Sequence, residues 1–364
     1  MLTELDRHPH AKAVLSAHNP SHAYLFYGPG GSGKREIARQ LAADWLSAGD
    51  AGARARAMHG THPDMTWVSP SGAHEILVKD IDGPVIAAAT RTPFESARRV
   101  FVIESVDQLG DEAANKMLKT LEEPASFVHM ILITDRLGEV MPTIRSRCQL
   151  VRFDGLADDE LAAELRAEGV PAESADALAR LGLGDAGRAR ELATSEGTAL
   201  RSGAEVYVRA VIARASDTAP WRPLMAAVRG RGDRLRAELE AARDAELELL
   251  PKRERKRAET EWAERIKRGR RRVETEALDL ALTVIESWLL DLAALAWGSR
   301  ELIRNLDRMH ELQQDQVSST GLVASALIDA VSQVEQTRTT FQLNVTEELA
   351  LEALAYRLER RLAR

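Results

Sequence analysis

The chain has little cysteine and few aromatic residues. Its single cysteine, Cys148, excludes an internal disulfide and any zinc site built from several cysteines. Phenylalanine, tryptophan and tyrosine make up only 4% of the 364 residues, whereas alanine, leucine, arginine and glutamate dominate. This mix favours helices and leaves little material for a large sheet.

A leader-like N-terminus and an excess of positive charge are also lacking. The N-terminal residues have neither the basic nor the apolar region of a signal peptide. The formal net charge of −7 argues against nucleic-acid binding by global charge, although the average would hide a local basic patch. The most apolar later stretch, Leu278–Trp297, contains acidic residues, which favours a buried helix over a membrane span. We therefore expect a cytoplasmic protein, and the length predicts two or three domains.

The most informative stretch is a glycine-rich loop, GPGGSGKR, at residues 28–35. It lies between an apolar run at 23–27 and a helical pattern, which is the setting of a Walker A phosphate loop. In such loops backbone N–H groups surround a phosphate and a lysine reaches its oxygens. The candidate phosphate ligands are Gly28, Gly30, Gly31, Gly33 and Lys34. The alternative is a glycine-rich turn with a chance Gly-Lys pair.

Arg35 departs from the Walker A motif, which has serine or threonine after the lysine. That hydroxyl normally ligates Mg²⁺, and a guanidinium has no lone pair to offer a metal. The loop is therefore predicted to hold a phosphate and to be poorly built for metal-assisted hydrolysis.

Further departures follow the apolar run at 99–103, which is typical of a buried parallel strand. Glu104 stands where the Mg²⁺-holding aspartate is usual, and Ser105 where many ATPases have the glutamate that orients the attacking water. Serine is a poor base at neutral pH. The alternative is a core strand that simply ends in a polar residue.

Two later segments add candidate ligands. The apolar strand predicted at 128–134 ends in Thr134, close to where a γ-phosphate sensor would lie. Arg145 and Arg147 lie in a loop before the next strand. From the residues alone, these arginines are equally well surface charges or phosphate ligands.

Two longer motifs indicate a family: AANKMLKTLEEP at residues 113–124 and PTIRSRC at 142–148. Through them the chain resembles the bacterial clamp-loader ATPases, a family of AAA+ proteins, most sharply over about residues 8–155. The fold that this resemblance implies is a RecA-like α/β AAA+ module with a parallel sheet at 1–154, a small helical lid at 155–202 and an all-α collar and oligomerisation domain at 203–364.

The resemblance also implies roles for single residues. Arg147, in the Ser-Arg-Cys motif, would act as an arginine finger in trans on the ATP of a neighbouring subunit. Arg188 lies in GDAGRAR at 184–190, where relatives place a second sensor arginine, and a surface arginine at a helix start is the equal alternative.

No cofactor is predicted to be required, although ATP or ADP binding in the loop is possible. Relatives often bind zinc through four cysteines between the first helix and the His62 region. In that stretch this chain has Arg54, Arg56, Met58 and His59, and we therefore predict no zinc.

The three departures from the ATPase motifs, at Arg35, Glu104 and Ser105, are better explained by one loss of hydrolytic function than by three independent changes. They predict a chain without independent ATPase activity. The resemblance implies that such a chain is a non-hydrolysing stator that helps load the sliding clamp onto primed DNA in the DNA polymerase III holoenzyme. The implied partners are the gamma/tau and delta clamp-loader subunits, the sliding clamp and primer–template DNA. The alternatives are an active gamma/tau-like motor subunit, disfavoured by Arg35 and Ser105, and a stand-alone nucleotide-binding regulator, disfavoured by the two long motifs.

The C-terminal part is patterned as helix throughout. Leucine stripes at 278–292 and 351–362 predict collar packing, and Asn344 is the expected cap of the last helix. A charged insertion at about 230–273, hinged at Pro251, contains a dense basic run at 252–272. A solvated helical hairpin is the plainer interpretation, and contact with template DNA or with an acidic partner is the sharper one.

Overall fold

The computed structural model describes residues 3–16, 20–70, 76–318, 323–341 and 346–362. The chain forms two compact units. One comprises Met1–Leu156 with Gly184–Ala186, and the other comprises Ala157–Leu183 with Gly187–Arg364. The first is an α/β unit with a parallel sheet, as predicted, and the described residues of the second contain helices without a strand. The division of the second unit into lid and collar stays a prediction.

Five parallel strands form the sheet of the first unit. In chain order they are β1 (Ala23–Tyr27), β2 (Met65–Val68), β3 (Arg99–Ile103), β4 (Val128–Thr134) and β5 (Gln149–Arg152). Their spatial order is β2-β3-β4-β1-β5. Since every pair is parallel, all the connections that follow the strands leave from one edge of the sheet, and helices carry the chain back.

Helices cover both faces of this sheet. They are α1 (Pro9–Leu15), α2 (Lys34–Ser47), α3 (Ala51–Met58), α4 (Val78–Ile81, continued by a π-helical segment at Asp82–Ala87), α5 (Asp111–Glu122) and α6 (Pro142–Arg145). Successive strand residues point to opposite faces, so Leu25 packs in the same core as Met117 of α5, and Phe26 packs with Ile37 of α2. Burial on both faces explains why the strands are continuous apolar runs.

The second unit is helical over its described residues. Its helices are α7 (Asp158–Ala167), α8 (Ala172–Gly182), α9 (Ala186–Ala193, in this unit from Gly187), α10 (Ser195–Ile212), α11 (Trp221–Leu249), α12 (Lys252–Trp297), α13 (Met309–Ser318), α14 (Ala324–Thr340) and α15 (Glu347–Leu362). The chain reverses between α11 and α12 at Pro251, the predicted hinge. The expected cap Asn344 lies outside the described residues.

The leucine stripes of α12 and α15 belong to the core of the second unit. Leu282, Ile285 and Leu289 on α12 are fully buried, as are Leu354 and Leu358 on α15. One stretch of α12 has a mean hydropathy of 1.6, high enough for a membrane span, but 72% of that stretch is buried within the protein. Its apolar character is therefore explained by packing.

We expect Phe26→Ala to destabilise the first unit by about 3–5 kcal/mol, because it removes a fully buried ring. Phe26 packs against Phe153 with ring centroids 4.9 Å apart. Phe94→Ala is the matched control: it is the same substitution at a ring that is 85% exposed, and its effect should stay within about 0.5 kcal/mol. Hydrogen exchange of β1 peptides, followed by mass spectrometry, measures both. Equal protection in the two variants would contradict this assignment of the core.

Candidate functional site

The glycine-rich loop joins β1 to α2 at the carboxyl edge of the sheet, where ligands bind in open α/β folds. Gly28, Gly30 and Gly31 form the turn, and Gly33 precedes α2 with φ of +78°, a conformation that suits glycine. A Cβ on Gly30 would lie 2.9 Å from Asp185 Cγ. The loop therefore has the predicted position and shape, with a carboxylate packed against it.

Lys34 is already fully engaged within the protein. Its Nζ donates to the carbonyl oxygens of Gly28 and Pro29, at 2.9 and 2.6 Å, and lies 2.5 Å from Asp135 Oδ1. The Lys34 side chain is 4% exposed, whereas that of Asp135 is 60% exposed. A phosphate that binds Lys34 must therefore displace the Asp135 carboxylate. Because the Asp135 side chain is largely exposed, it can rotate into solvent.

Arg35 forms an ion pair with Glu104, which joins two of the three positions that depart from the ATPase motifs. The Glu104 side chain is 7% exposed, and it accepts two further hydrogen bonds, from Trp67 Nε1 at 2.9 Å and Ser69 Oγ at 3.0 Å. A guanidinium, an indole and a hydroxyl thus satisfy both carboxylate oxygens. This is the arrangement of a buried carboxylate held by fixed donors.

The residues present do not fit Mg²⁺. Position 35 offers donors where the ion needs an oxygen ligand, and Glu104, the acid that directly follows β3, is occupied by three protein donors. The permanent charge of Arg35 lies where the charge of the ion would be needed.

The loop fits an anion better than it fits a metal. Ser32, next to Gly33, is 5% exposed, and its hydroxyl has no hydrogen-bond partner among the described residues. The adjacent N-terminus of α2 adds backbone N–H groups and the positive end of a helix dipole. A phosphate could complete these contacts without a metal.

Thr134 lies at the same edge, at the end of β4, but its hydroxyl is engaged. It donates to Asp107 Oδ1 at 2.6 Å and accepts from the backbone N–H of Arg136 at 3.0 Å. Burial raises the pKa of Asp107, and the hydrogen bond from Thr134 opposes that rise. Its role as a phosphate sensor stays a prediction.

Arg147 lies in the segment between α6 and β5, half-buried and paired with Glu122. Its Nε donates to Glu122 Oε1 at 2.7 Å, and its Nη1 donates to the carbonyl oxygen of Thr143 at 2.9 Å. The next residue, Cys148, packs on the core of the first unit, and burial raises the pKa of its thiol to about 12. Cys148 thus anchors the loop, while Arg147 remains at the surface.

Arg147 and the phosphate loop lie at opposite edges of the sheet. The loop follows the carboxyl end of β1, whereas Arg147 precedes the amino end of β5, and β5 pairs with β1 in parallel. The five residues of β1 separate the edges by about 16 Å, more than an arginine side chain can span. Arg147 therefore cannot reach a phosphate in the loop of its own chain.

The other predicted residues have simpler surroundings. Ser105 follows β3 with φ of +51° and precedes a short 3-10 turn, Val106–Gln108. Arg188 lies on α9, half-buried, and it has an interaction partner within the protein. Since Arg188 belongs to the second unit, its role as a second sensor stays a prediction.

Sequence reasoning missed Trp67, Ser69, Asp135 and Glu122. One available signal was the alignment of strand ends: Val68 pairs with Ile103, so Ser69 lies beside Glu104 at the edge. Asp135 directly follows Thr134, which the sequence did single out. Glu122 is within the AANKMLKTLEEP motif, but no spacing rule connects it with Arg147.

The first unit is similar in sequence to known proteins. Residues 8–157 match the sequence model of a family described as DNA polymerase III, delta subunit. DNA polymerase III subunit delta′ of Pseudomonas aeruginosa is 33% identical over 171 residues, which are 44% of this chain and 51% of that protein. The Bacillus subtilis delta′ subunit is 32% identical over 170 residues, 44% of this chain and 50% of that protein. The chain thus spans about half the length of these curated relatives.

A second kind of DNA polymerase III subunit is also similar. DNA polymerase III subunit gamma/tau of Mycobacterium tuberculosis is 31% identical over 144 residues, 37% of this chain and 24% of that protein. The similarity to both kinds of subunit leaves the choice between stator and motor to the residues of the site.

We expect Arg35→Thr to give ATP binding that depends on Mg²⁺. The threonine supplies the missing metal ligand and frees Glu104 from its ion pair. Calorimetry should then give at least about tenfold tighter ATP binding with Mg²⁺ than with EDTA, whereas the wild-type affinity should be insensitive to the metal. Arg35→Ala, which removes the guanidinium without adding a hydroxyl, is the control and should remain insensitive. Mg²⁺-dependent binding by the wild-type chain would contradict this account of Arg35.

Proposed function

We propose that the chain is a clamp-loader subunit of the replicative holoenzyme, because its first unit matches the DNA polymerase III delta subunit family model and is similar to delta′ subunits. In that role it is a non-hydrolysing stator in the cytoplasm, without ATPase activity of its own. It helps to load the sliding clamp onto primed DNA. It also supplies Arg147 in trans to a neighbouring ATPase subunit.

The ion pair between Arg35 and Glu104 is the observation that carries the proposal. A motor subunit needs a metal ligand after the lysine and a free acid at the end of β3. Here those two positions bind each other, and Ser105 offers no base. ATP or ADP could occupy the loop without a metal and without being hydrolysed. The alternative, an active gamma/tau-like motor, is disfavoured by the same residues.

The surroundings of Arg147 suit a finger that acts on another subunit. A guanidinium is permanently charged and binds phosphate oxygens in a bidentate manner. Glu122, its partner, is 49% exposed, and such an ion pair contributes only about 1 kcal/mol or less. Arg147 can therefore exchange the carboxylate for the phosphate of a neighbour at little cost.

The proposed partners follow from this role. They are the gamma/tau and delta subunits, the sliding clamp, and primer–template DNA in the assembled loader. The neighbour that receives Arg147 must carry an intact phosphate loop and a metal ion, since this chain provides neither the metal ligand nor the base.

We expect Arg147→Ala to lower DNA-stimulated ATP hydrolysis by the reconstituted loader at least about tenfold, because arginine fingers supplied in trans contribute about 10³ to 10⁵ in rate. Arg152→Ala is the control. Arg152 is an exposed arginine of the first unit, likewise paired with a carboxylate, that of Asp154 at 2.7 Å, and its loss should leave the rate within about twofold. Gel filtration confirms that both variants assemble. A rate for Arg147→Ala equal to that of the wild type would refute the proposed role.

A further inference from the structure

The strongest local charge in the chain is on the first half of α12. Residues 252–272 contain eleven lysines and arginines against four glutamates, a net charge of +7, in a chain whose formal net charge is −7. The facing part of α11, residues 231–250, has four arginines against six acidic residues. The basic charge therefore belongs to one helix of the hairpin.

The apolar side of this part of α12 is buried against α11 within the hairpin. Trp262 and Ile266 are each 8% exposed, and Trp262 Nε1 donates to Glu246 on α11 at 3.1 Å. A Cβ on Gly269 would lie 3.2 Å from Leu239 on α11, so the two helices are in close contact there. The helices run antiparallel, and the opposite side of α12 is turned outward.

Four cations share that outward side. A helix turns 100° per residue, which places Arg253, Lys256, Lys267 and Arg268 within about 60° of one direction, opposite Trp262. We call these four residues the basic face. Their side chains form no ion pair with any residue that the structure describes, unlike Arg257, Arg270, Arg271 and Arg272, which are paired with carboxylates.

The basic face suits an extended anion. It runs for about 22 Å from Arg253 to Arg268 and lacks an exposed apolar anchor. The exposed carboxylate of Glu264 lies on the same side, and the four cations outnumber it. Protein interfaces usually centre on buried aromatic or aliphatic residues, and the aromatic ring of this segment is packed into the hairpin. Lipid insertion would likewise need an apolar face. We propose that the basic face binds the phosphate backbone of nucleic acid.

This inference goes beyond the proposed function, because it gives the chain a direct contact with DNA that does not depend on Arg147 or on assembly. Backbone contacts of this kind bind without base specificity and release counterions, so affinity falls steeply with salt.

The test is a fluorescence-anisotropy titration of the full-length chain with a labelled primer–template DNA, from about 50 to about 200 mM salt. The double variant Lys256→Glu/Lys267→Glu should bind at least about tenfold more weakly at low salt, and its log–log salt slope should fall by about 2. The control, Arg236→Glu/Arg243→Glu, changes the charge by the same amount on α11, where both arginines already pair with neighbouring carboxylates. It should stay within about threefold of the wild type.

Circular dichroism establishes that both double variants keep the helical content of the wild type. Three results would each overturn the proposal: no measurable binding by the wild-type chain at low salt, equal losses in the two variants, or unchanged DNA binding in the Lys256→Glu/Lys267→Glu variant. The last result, if accompanied by a loss of assembly with the other loader subunits, would assign the basic face to an acidic protein partner instead.

Discussion

The ion pair between Arg35 and Glu104 occupies two positions at which the first unit departs from a phosphate-loop ATPase. It joins the start of α2 to the end of β3, the two places from which a phosphate-loop ATPase holds its metal. The pair supplies positive charge without a ligand site, and Trp67 and Ser69 fix the carboxylate in place. The strand, loop and helix of a phosphate-loop protein are thus retained, while the two positions from which a metal would be held bind each other.

The parallel sheet separates the two functional edges. The phosphate loop and Glu104 lie at the carboxyl ends of the strands, and Arg147 precedes the amino end of β5. Substitutions in the phosphate loop therefore lie far from the segment that carries Arg147. The proposed stator role uses this separation, because a silent loop and an arginine presented to a neighbour are then compatible. Cys148, partly buried against the core, holds the segment that carries the arginine.

The sequence predicted much of the fold because long apolar runs specify buried parallel strands: β1 at 23–27 and β4 at 128–134 have the expected bounds. It also singled out Arg35 and Glu104 separately. The sequence did not predict that they pair, because the two residues are 69 positions apart and meet only when α2 and β3 pack. The contact of Lys34 with Asp135 was missed for the same reason.

The most direct measurement of whether Arg35 takes the place of the metal is electron paramagnetic resonance of Mn²⁺ with ATP and the purified wild-type chain. Mn²⁺ replaces Mg²⁺ at octahedral oxygen sites, and its signal distinguishes protein-bound from free complexes. Because Glu104 is paired with Arg35, we expect only the signal of Mn·ATP in solution. A protein-bound Mn²⁺ signal that disappears in Glu104→Gln would contradict this account.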